Sequence, residues 1–408
     1  MRRIQNVYEY IILILFLMNS GCPLGSLFYN YITVISFVFC VIGLLVFKKG
    51  IKLNKISFLF IILLISSMIL TMVVNLDNDY SHYIGKFLVF ITVLVFANSV
   101  ESSTILRKYI LIILVICLYS IVLTVLLYIR FNPLVSLVRR INYTGENGVS
   151  SSRIGYLYYI WTGYGPHWLY FPKNSAFFRE PGVFSTHVCI AMMIVSSDLF
   201  QSERKRKTII MLVLFFGGLS SISTVGVLGS ALLFLFYMKK QKSKYTKYIL
   251  IGFSLIIIGY FLFANYSTLF DKLTQSSILY GSVSDRTRGM QEGMSAWFEN
   301  PVFGKGYSYF QSHSNGVSSF FIPEFLGKYG IVYTLLFCIS VYLFMCYLSS
   351  SRLEFWVFFA VYSMFLVTQG LVDMPVFLLF QLFSLKRLES KQKKLRTKEF
   401  IYEDNVVM

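Results

Sequence analysis

The sequence predicts an all-α, polytopic integral membrane protein with about twelve transmembrane helices and two large outer loops. Its composition is the first reason: the 408 residues are 56% hydrophobic and only 14% charged, whereas soluble domains carry roughly 25% charged residues. The second is that the apolar residues occur in blocks of membrane-spanning length rather than in amphipathic stripes. These features exclude a soluble enzyme, a disordered protein and a protein with a single membrane anchor.

Uninterrupted apolar blocks define the candidate spans. They cover residues 8–22, 27–47, 56–74, 84–100, 109–129, 182–200, 208–222, 223–238, 248–264, 325–348, 355–371 and 374–385. The stretches 208–238 and 355–385 each lie between two basic clusters, and one helix cannot keep both clusters on the same side of the membrane. We therefore expect two short helices in each stretch, meeting at Gly217-Gly218 and between Gly370 and Pro375.

The basic residues predict the orientation of the chain. The net charge is +18, and most of the Lys and Arg residues lie in clusters that alternate with the apolar blocks, ending in a basic tail at 386–408. The excess of Lys and Arg in cytoplasmic segments sets the topology of multi-pass proteins, so we expect one membrane domain, 1–408, with both termini in the cytoplasm. Contact with anionic lipid headgroups accounts for the clusters, and no nucleic-acid partner is needed.

The first large outer loop, loop A, covers residues 130–181. It contains six basic and two acidic residues, including Arg140, Arg153 and Arg179. An arginine fork matches phosphate oxygens in a bidentate manner, which favours a phosphate-bearing ligand, although a solvated loop that faces lipid headgroups explains any single arginine equally well. Eight aromatic rings between 155 and 171 fit an interfacial aromatic belt or a surface that stacks against sugars.

Loop A ends in the segment Arg179-Glu180-Pro181-Gly182, where a helix is expected to begin. Proline is common in the first turn of a helix, and a carboxylate just before the N-terminus is favoured by the helix dipole. The alternative is that Arg179 and Glu180 form a site, because ionisable groups at a membrane edge are often functional. His187, five residues further along, is interpreted as a core histidine.

The second large outer loop, loop B, covers residues 265–323 and contains a predicted short helix followed by a turn. Asp285 is a plausible N-cap, and the helix is expected to end at Asn300-Pro301. Gly304 and Gly306 then predict a turn, and His313 follows in a polar segment. A helix with Arg286 in its first turn, followed by a glycine turn and a histidine, can hold an anion and position a base.

These residues carry a resemblance to a known family. The pattern of Arg286, Asn300-Pro301-Val302-Phe303-Gly304-Lys305-Gly306, His313, Glu324 and Gly327-Lys328-Tyr329-Gly330 resembles the signature of the O-antigen polymerase (Wzy-type) and O-antigen ligase superfamily. The segment from Phe178 to Phe184 is similar to the Arg/Glu-Pro segment of the polymerases. Ser314 departs from the pattern, since asparagine is common after the histidine.

The resemblance implies a metal-independent glycosyltransferase of lipopolysaccharide biosynthesis in the bacterial inner membrane, with both loops in the periplasm and no cofactor. It would transfer a glycan from undecaprenyl pyrophosphate to a hydroxyl of the next lipid-linked repeat unit. Its partners would be that lipid-linked oligosaccharide, the lipid bilayer and a chain-length regulator. The catalytic candidates are His313, Arg286, Arg179 and Glu180. The substrate-binding candidates are Arg288, Arg153, Arg140 and Lys305.

Three other functions remain as alternatives. An O-antigen ligase would share the fold and the donor but use a lipid A core acceptor; the Arg179–Gly182 segment favours the polymerase. A flippase for the lipid-linked unit should carry ionisable residues inside its spans, and the predicted spans are nearly free of charge. A membrane O-acyltransferase would need an early histidine near an arginine on the cytoplasmic side. None of the four histidines, His82, His167, His187 and His313, fits that requirement.

Overall fold

A computed structural model shows that the protein is mostly helical and embedded in a membrane. The structure describes residues 2–23, 28–47, 53–128, 153–155, 158–161, 173–240, 281–313, 321–368 and 370–389, with isolated positions between 248 and 259. Five helices in this part of the chain are long and apolar enough to cross a membrane. They are Tyr29–Phe47, Lys55–Val74, Tyr80–Ser99, Ser102–Leu126 and Phe321–Leu348.

The described helices outside loops A and B coincide closely with the predicted apolar blocks. The helices are α1 (Arg2–Met18), α2 (Tyr29–Phe47), α3 (Lys55–Val74), α4 (Tyr80–Ser99), α5 (Ser102–Tyr128), α6 (Pro181–Ser196), α7 (Arg204–Ser220), α8 (Thr224–Lys240), α9 (Gly281–Glu299), α10 (Tyr307–His313), α11 (Phe321–Leu348), α12 (Arg352–Thr368) and α13 (375–389). The strands are β1 (Arg153–Gly155), β2 (Tyr158–Trp161) and β3 (Lys173–Ala176). Most of the predicted span at 248–264 lies outside the described residues.

Both stretches that were predicted to hold two helices are divided as expected. In the first, however, the break between α7 and α8 lies at 221–223, where Ile222 has a φ of 49°, and not at Gly217-Gly218. A Cβ atom on Gly218 would overlap the hydroxyl of Ser230 on α8. This glycine therefore allows two antiparallel helices to pack closely, and does not end a helix. In the second stretch, residues 370–374 separate α12 from α13.

Helix α6 is buried on all sides. Every residue from Val183 to Ser196 is buried, which is typical of a helix at the centre of a bundle. His187 is fully buried, with Nε2 3.2 Å from the carbonyl oxygen of Ser20 and Nδ1 3.0 Å from the hydroxyl of Tyr109. These contacts confirm the interpretation of His187 as a core histidine.

Loop A contains a small sheet, so the expectation of a purely all-α chain was wrong at this point. β1 pairs with β2 and β2 with β3, both antiparallel. The run Tyr158-Tyr159-Ile160-Trp161 is rich in aromatic and β-branched residues, which favour strands. Asn174 on β3 donates hydrogen bonds to Ser120 on α5 and Ser220 on α7, which fastens the sheet to the bundle.

The connections between helices gather at two ends of the bundle. We call one the site end; it contains residues 19–21, 75–79, 177–180, 300–306 and 370–374. Contacts across it include the backbone bond from Arg179 to Gly21 and the bond from the Val376 backbone to the hydroxyl of Ser20. The other end, the far end, contains residues 99–102, 197–203 and 349–351, where Lys386 donates to the carbonyl oxygens of Ala97 and Val100.

Candidate functional site

The glycine turn of loop B packs into a break in α11. α11 is interrupted at Gly330, whose φ is 79° and ψ −174°. Three backbone hydrogen bonds join the turn to this break: Lys305 N to Gly327 O at 2.7 Å, Gly306 N to Lys328 O at 3.0 Å, and Ile331 N to Pro301 O at 3.0 Å. The two segments that carry the resemblance, 300–306 and 324–330, therefore form one structural unit.

Two glycines in this unit have no room for a side chain. At Gly330, a Cβ atom would overlap the carbonyl oxygen of Val302. At Gly306, where φ is 84°, it would lie 2.6 Å from Oδ2 of Asp77. Positive φ angles are costly for residues with a side chain, so both positions require glycine for conformation as well as for space. The turn predicted at Gly304 and Gly306 is confirmed, and its role is close backbone packing.

The connection between α3 and α4 supports the same turn. Asn75 donates to the carbonyl oxygen of Gly304 at 3.0 Å, and the carboxylate of Asp77 accepts hydrogen bonds from the backbone and hydroxyl of Ser308 and from the hydroxyl of Tyr83. Burial by itself would raise the pKa of Asp77, but these hydrogen bonds outweigh it and lower the pKa below its usual value. Asp77 therefore acts as an ionised anchor for the start of α10.

A group of polar and aromatic side chains, which we call the His82 cluster, lies beside this anchor. Its members are His82, Tyr307, Glu324, Lys328 and Tyr329. The rings of His82 and Tyr307 stack with centroids 3.6 Å apart and planes 8° apart, and Nε2 of His82 lies 2.8 Å from the hydroxyl of Tyr329. Lys328 forms a 2.5 Å ion pair with Glu324 and lies 5.4 Å from the centroid of the Tyr307 ring.

A buried ion pair lies one helical turn from His82. Lys86 on α4 pairs with Asp373 in the connection between α12 and α13, and both side chains are at most a tenth exposed. The fully buried hydroxyl of Tyr333 has no hydrogen-bond partner among the described residues. It is close enough to the carboxylate of Asp373 to interact with it electrostatically. A Cβ atom on Gly370 would lie 3.4 Å from Glu324, so this connection passes close to the His82 cluster.

The end of loop A reaches the same end of the bundle. Arg179 donates its backbone N–H to the carbonyl oxygen of Gly21 at 2.8 Å. Its Nε atom is buried and has no hydrogen-bond partner within the described part of the chain. Glu180 is the N-cap of α6 in an extended conformation, without a side-chain capping bond. A buried guanidinium nitrogen without a partner is costly, so Arg179 has donor capacity that a ligand can use.

The other predicted site residues are placed less completely. Arg286 lies in α9, His313 ends α10 and Arg153 lies in β1, but their side chains are outside the described residues, as is the whole of Arg140. Arg288 on α9 is exposed. Lys305 forms a 2.5 Å ion pair with Glu299, and this hydrogen bond raises its pKa. The ligand-binding roles of these residues stay predictions.

Sequence reasoning missed the most polar part of the site. It treated the spans as nearly free of charge, whereas Lys86 and Asp373 form a buried pair at one end and Lys108 and Glu9 form another near the far end. The missed signal was Lys86 itself, a charged residue two positions inside a predicted span. A charged side chain inside a membrane costs free energy, so its presence usually indicates a functional role.

The fold and the site define a helical membrane protein with a polar, partly buried site at one end of its bundle. Among the described residues, no group of three or more His, Cys, Asp or Glu side chains could hold a metal ion. The site combines a buried arginine nitrogen, an imidazole, aromatic rings and paired charges, which can bind a hydroxyl-bearing and phosphate-bearing ligand. Comparisons with models of protein families, with curated proteins and with solved structures found no significant match.

Proposed function

We propose that this chain is a surface-polysaccharide polymerase of the O-antigen polymerase type. It transfers a glycan from undecaprenyl pyrophosphate to a hydroxyl of the next lipid-linked repeat unit. The proposal is supported by the position of the segments that carry the resemblance. Residues 300–306 pack against 324–330, and both segments lie at the same end of the bundle as Arg179-Glu180. Residues separated by more than a hundred positions thus lie at the same end of the bundle.

The reaction breaks the bond between C1 of the donor glycan and the pyrophosphate oxygen, and it forms a glycosidic bond to the acceptor oxygen. The site must stabilise the departing pyrophosphate and accept the proton of the acceptor hydroxyl. Cations placed where charge develops usually supply the largest catalytic effect, and general-base assistance contributes about 10²–10⁴-fold. We assign the pyrophosphate to Arg179 and Arg286, and the acceptor proton to His313 or Glu180. Arg288, Arg153, Arg140 and Lys305 are secondary contacts.

This function requires the site end to face the periplasm. The far end then faces the cytoplasm, together with both termini and most basic clusters, including 204–207 and the tail. A donor carried by a membrane lipid reaches such a site from the bilayer, without a nucleotide cofactor. A chain-length regulator would act from the periplasmic side.

Deleting the gene and separating the surface polysaccharide on a gel tests the proposal. A ladder that collapses to core plus one repeat unit supports the polymerase, because single units still reach the surface. Core alone with accumulated lipid-linked polymer identifies the ligase instead. Core alone with no polymer, and lipid-linked units trapped inside the cell, identifies a flippase. An unchanged ladder contradicts all three functions.

Point variants test the assigned residues. We expect Arg286→Lys, Arg179→Lys and His313→Ala to shorten the ladder and lower the yield of polymer by at least tenfold. Lysine keeps the positive charge but loses the planar fork, so the arginine variants test bidentate geometry. Arg352→Lys is the matched control, because Arg352 is exposed at the far end. Full-length ladders from both Arg286→Lys and His313→Ala at normal protein levels would refute the assignment.

A second candidate function has one observation in its favour. A flippase is expected to carry charges within its membrane spans, and Lys86 with Asp373 supplies a buried pair that the sequence analysis had not anticipated. The polymerase remains the better proposal, because Asp373 lies in the connection at the site end and the pair is therefore part of the same polar region. The deletion experiment separates the two functions by where the lipid-linked units accumulate.

A further inference from the structure

The charges of the His82 cluster are balanced. Lys328 is paired with Glu324 at 2.5 Å, and Lys86 below the cluster is paired with Asp373. The carboxylate of Asp77 already accepts hydrogen bonds from Ser308 and Tyr83. No cation in this cluster is left to neutralise a phosphate. The cluster therefore differs from Arg179, whose buried Nε lacks a partner among the described residues.

The cluster nevertheless has features of a binding site for a polar ligand. His82, Tyr307, Glu324 and Lys328 are partly exposed, whereas Tyr329 beneath them is buried. The imidazole of His82 forms one ring hydrogen bond within the described part of the chain, through Nε2. Imidazole, carboxylate and ammonium groups provide hydrogen-bond donors and acceptors at one surface, and the ring of Tyr307 stacks against the imidazole. An uncharged ligand with many hydroxyls matches such a surface.

We infer that the His82 cluster is a binding subsite for an uncharged sugar residue, separate from the arginine region that takes the pyrophosphate. This inference rests on the proposed function, since the sugar would belong to the acceptor repeat unit. His82, Glu324 and Lys328 would contact its hydroxyls, and Tyr307 would hold the His82 ring in place by stacking on it. The subsite orients the acceptor, and the reacting groups remain those assigned above.

Two probes separate the subsite from the arginine region. The first is the repeat-unit oligosaccharide, released from its lipid carrier by mild acid so that it carries no phosphate. The second is inorganic pyrophosphate. Equilibrium binding of each probe is measured with the purified full-length protein in lipid nanodiscs. We expect the wild-type protein to bind both.

Two variants keep the shape of the cluster and change its polar groups. His82→Phe keeps a ring that can stack on Tyr307 and loses the ring nitrogens, and Glu324→Gln keeps the length of the side chain and loses the charge. We expect each to raise the dissociation constant for the oligosaccharide about tenfold, the loss typical of a hydrogen bond to a charged or well-placed group. Binding of pyrophosphate should stay within twofold in His82→Phe and should not weaken in Glu324→Gln, which leaves Lys328 without its partner. Arg179→Lys should give the opposite pattern.

Tyr80→Phe is the matched control, since Tyr80 lies on the same helix as His82, is 56% exposed and loses one polar group on substitution. Its binding of both probes should equal that of the wild type. The inference is overturned if the wild type does not bind the oligosaccharide, if His82→Phe and Glu324→Gln bind it normally, or if they lose pyrophosphate binding instead. A collapsed ladder on gene deletion together with any of these results would refute the subsite but not the polymerase. An unchanged ladder would refute the polymerase itself.

Discussion

Two buried ion pairs lie at opposite ends of the bundle, and their surroundings differ. Lys108 on α5 pairs with Glu9 on α1 at 2.6 Å, with both side chains 6% exposed. Lys108 also donates to the carbonyl oxygen of Asn6, and Gln5 donates to Glu9. Both charges are therefore satisfied by neighbours on α1, and the pair joins two helices without any connection to the site.

The pair at the site end is less self-contained. Lys86 is joined to Asp373 in the connection between two helices. The hydroxyl of Tyr333, which has no hydrogen-bond partner among the described residues, is close enough to that carboxylate to interact with it electrostatically. His82 is one helical turn from Lys86, so the two side chains share a face of α4. The difference indicates that burial of a charge pair does not define a site. The Lys86–Asp373 pair is the functional candidate because it lies beside other polar groups.

The largest effect is expected when one partner of either pair is removed. Lys86→Met and Lys108→Met should each lower the stability of the protein by about 3–5 kcal/mol, because a buried carboxylate is left without its partner. The fraction of solubilised protein that stays monodisperse after heating measures this loss. Equal stability of both variants and the wild type would show that the carboxylates are not charged in the folded protein.

Removing both partners of each pair should show which of the two pairs is needed for function. An ion pair replaced by apolar residues of similar volume is often neutral for stability, so Lys86→Met/Asp373→Leu and Lys108→Met/Glu9→Met should both recover most of the loss. We expect only the second double variant to restore the polysaccharide ladder, because only the first changes the connection that passes close to Glu324. Restoration of the ladder by both variants would make the Lys86–Asp373 pair structural as well.

The next largest effect is expected at the break in α11. Gly330→Ala should destabilise the protein by about 1–3 kcal/mol from the positive φ alone, with a further loss because the new Cβ atom overlaps the carbonyl oxygen of Val302. The melting temperature should fall, and the ladder should be lost with it. Gly252→Ala is the control, since no atom of the described residues lies within 4 Å of a Cβ atom there. A normal melting temperature for Gly330→Ala would mean that the break can rearrange.

Much of the fold could be predicted from the sequence. The apolar blocks located the described helices outside loops A and B, and the basic clusters at the ends of 208–238 and 355–385 predicted a pair of helices in each. The exact break at 221–223 could not be predicted, because Gly217 and Gly218 have the composition of a turn and are used for close helix packing instead. That use depends on which helix lies opposite, and local sequence does not specify it.

The candidate site was predicted only where its residues lie in loops. The turn at Gly304 and Gly306 was expected, and Arg179 was named as a candidate. His82, Lys86 and Asp373 were missed because each is isolated in the sequence, and only the packing of α4 against the connection before α13 brings them together. The charge balance of the His82 cluster likewise depends on contacts between elements.

The smallest expected effect concerns Asp77, which anchors the start of α10. Its pKa in the folded protein is lowered, with burial opposing and hydrogen bonds from Ser308 and Tyr83 favouring the ionised form. A carboxyl group with a lowered pKa stabilises the fold above its pKa in the unfolded chain, about 3.9, and this contribution is lost as the pH falls through the folded value. The wild-type protein should therefore lose this contribution only in strong acid.

Ser308→Ala tests this dependence by removing a hydroxyl that donates to Asp77. With fewer hydrogen bonds to oppose burial, the pKa of Asp77 in the folded protein should rise towards its value in the unfolded chain, so the acid limb of a stability profile below about pH 4 should become shallower. The variant should lose most stability near neutral pH, where the ionised carboxylate uses the lost hydrogen bond, and the loss should shrink in acid as Asp77 is protonated. Ser312→Ala on the same short helix is the control, since its hydroxyl bonds to the carbonyl oxygens of Ser308 and Tyr309. Matching acid limbs for the two variants would mean that Ser308 is not what keeps Asp77 ionised, and the anchor would then depend on Tyr83 and the backbone.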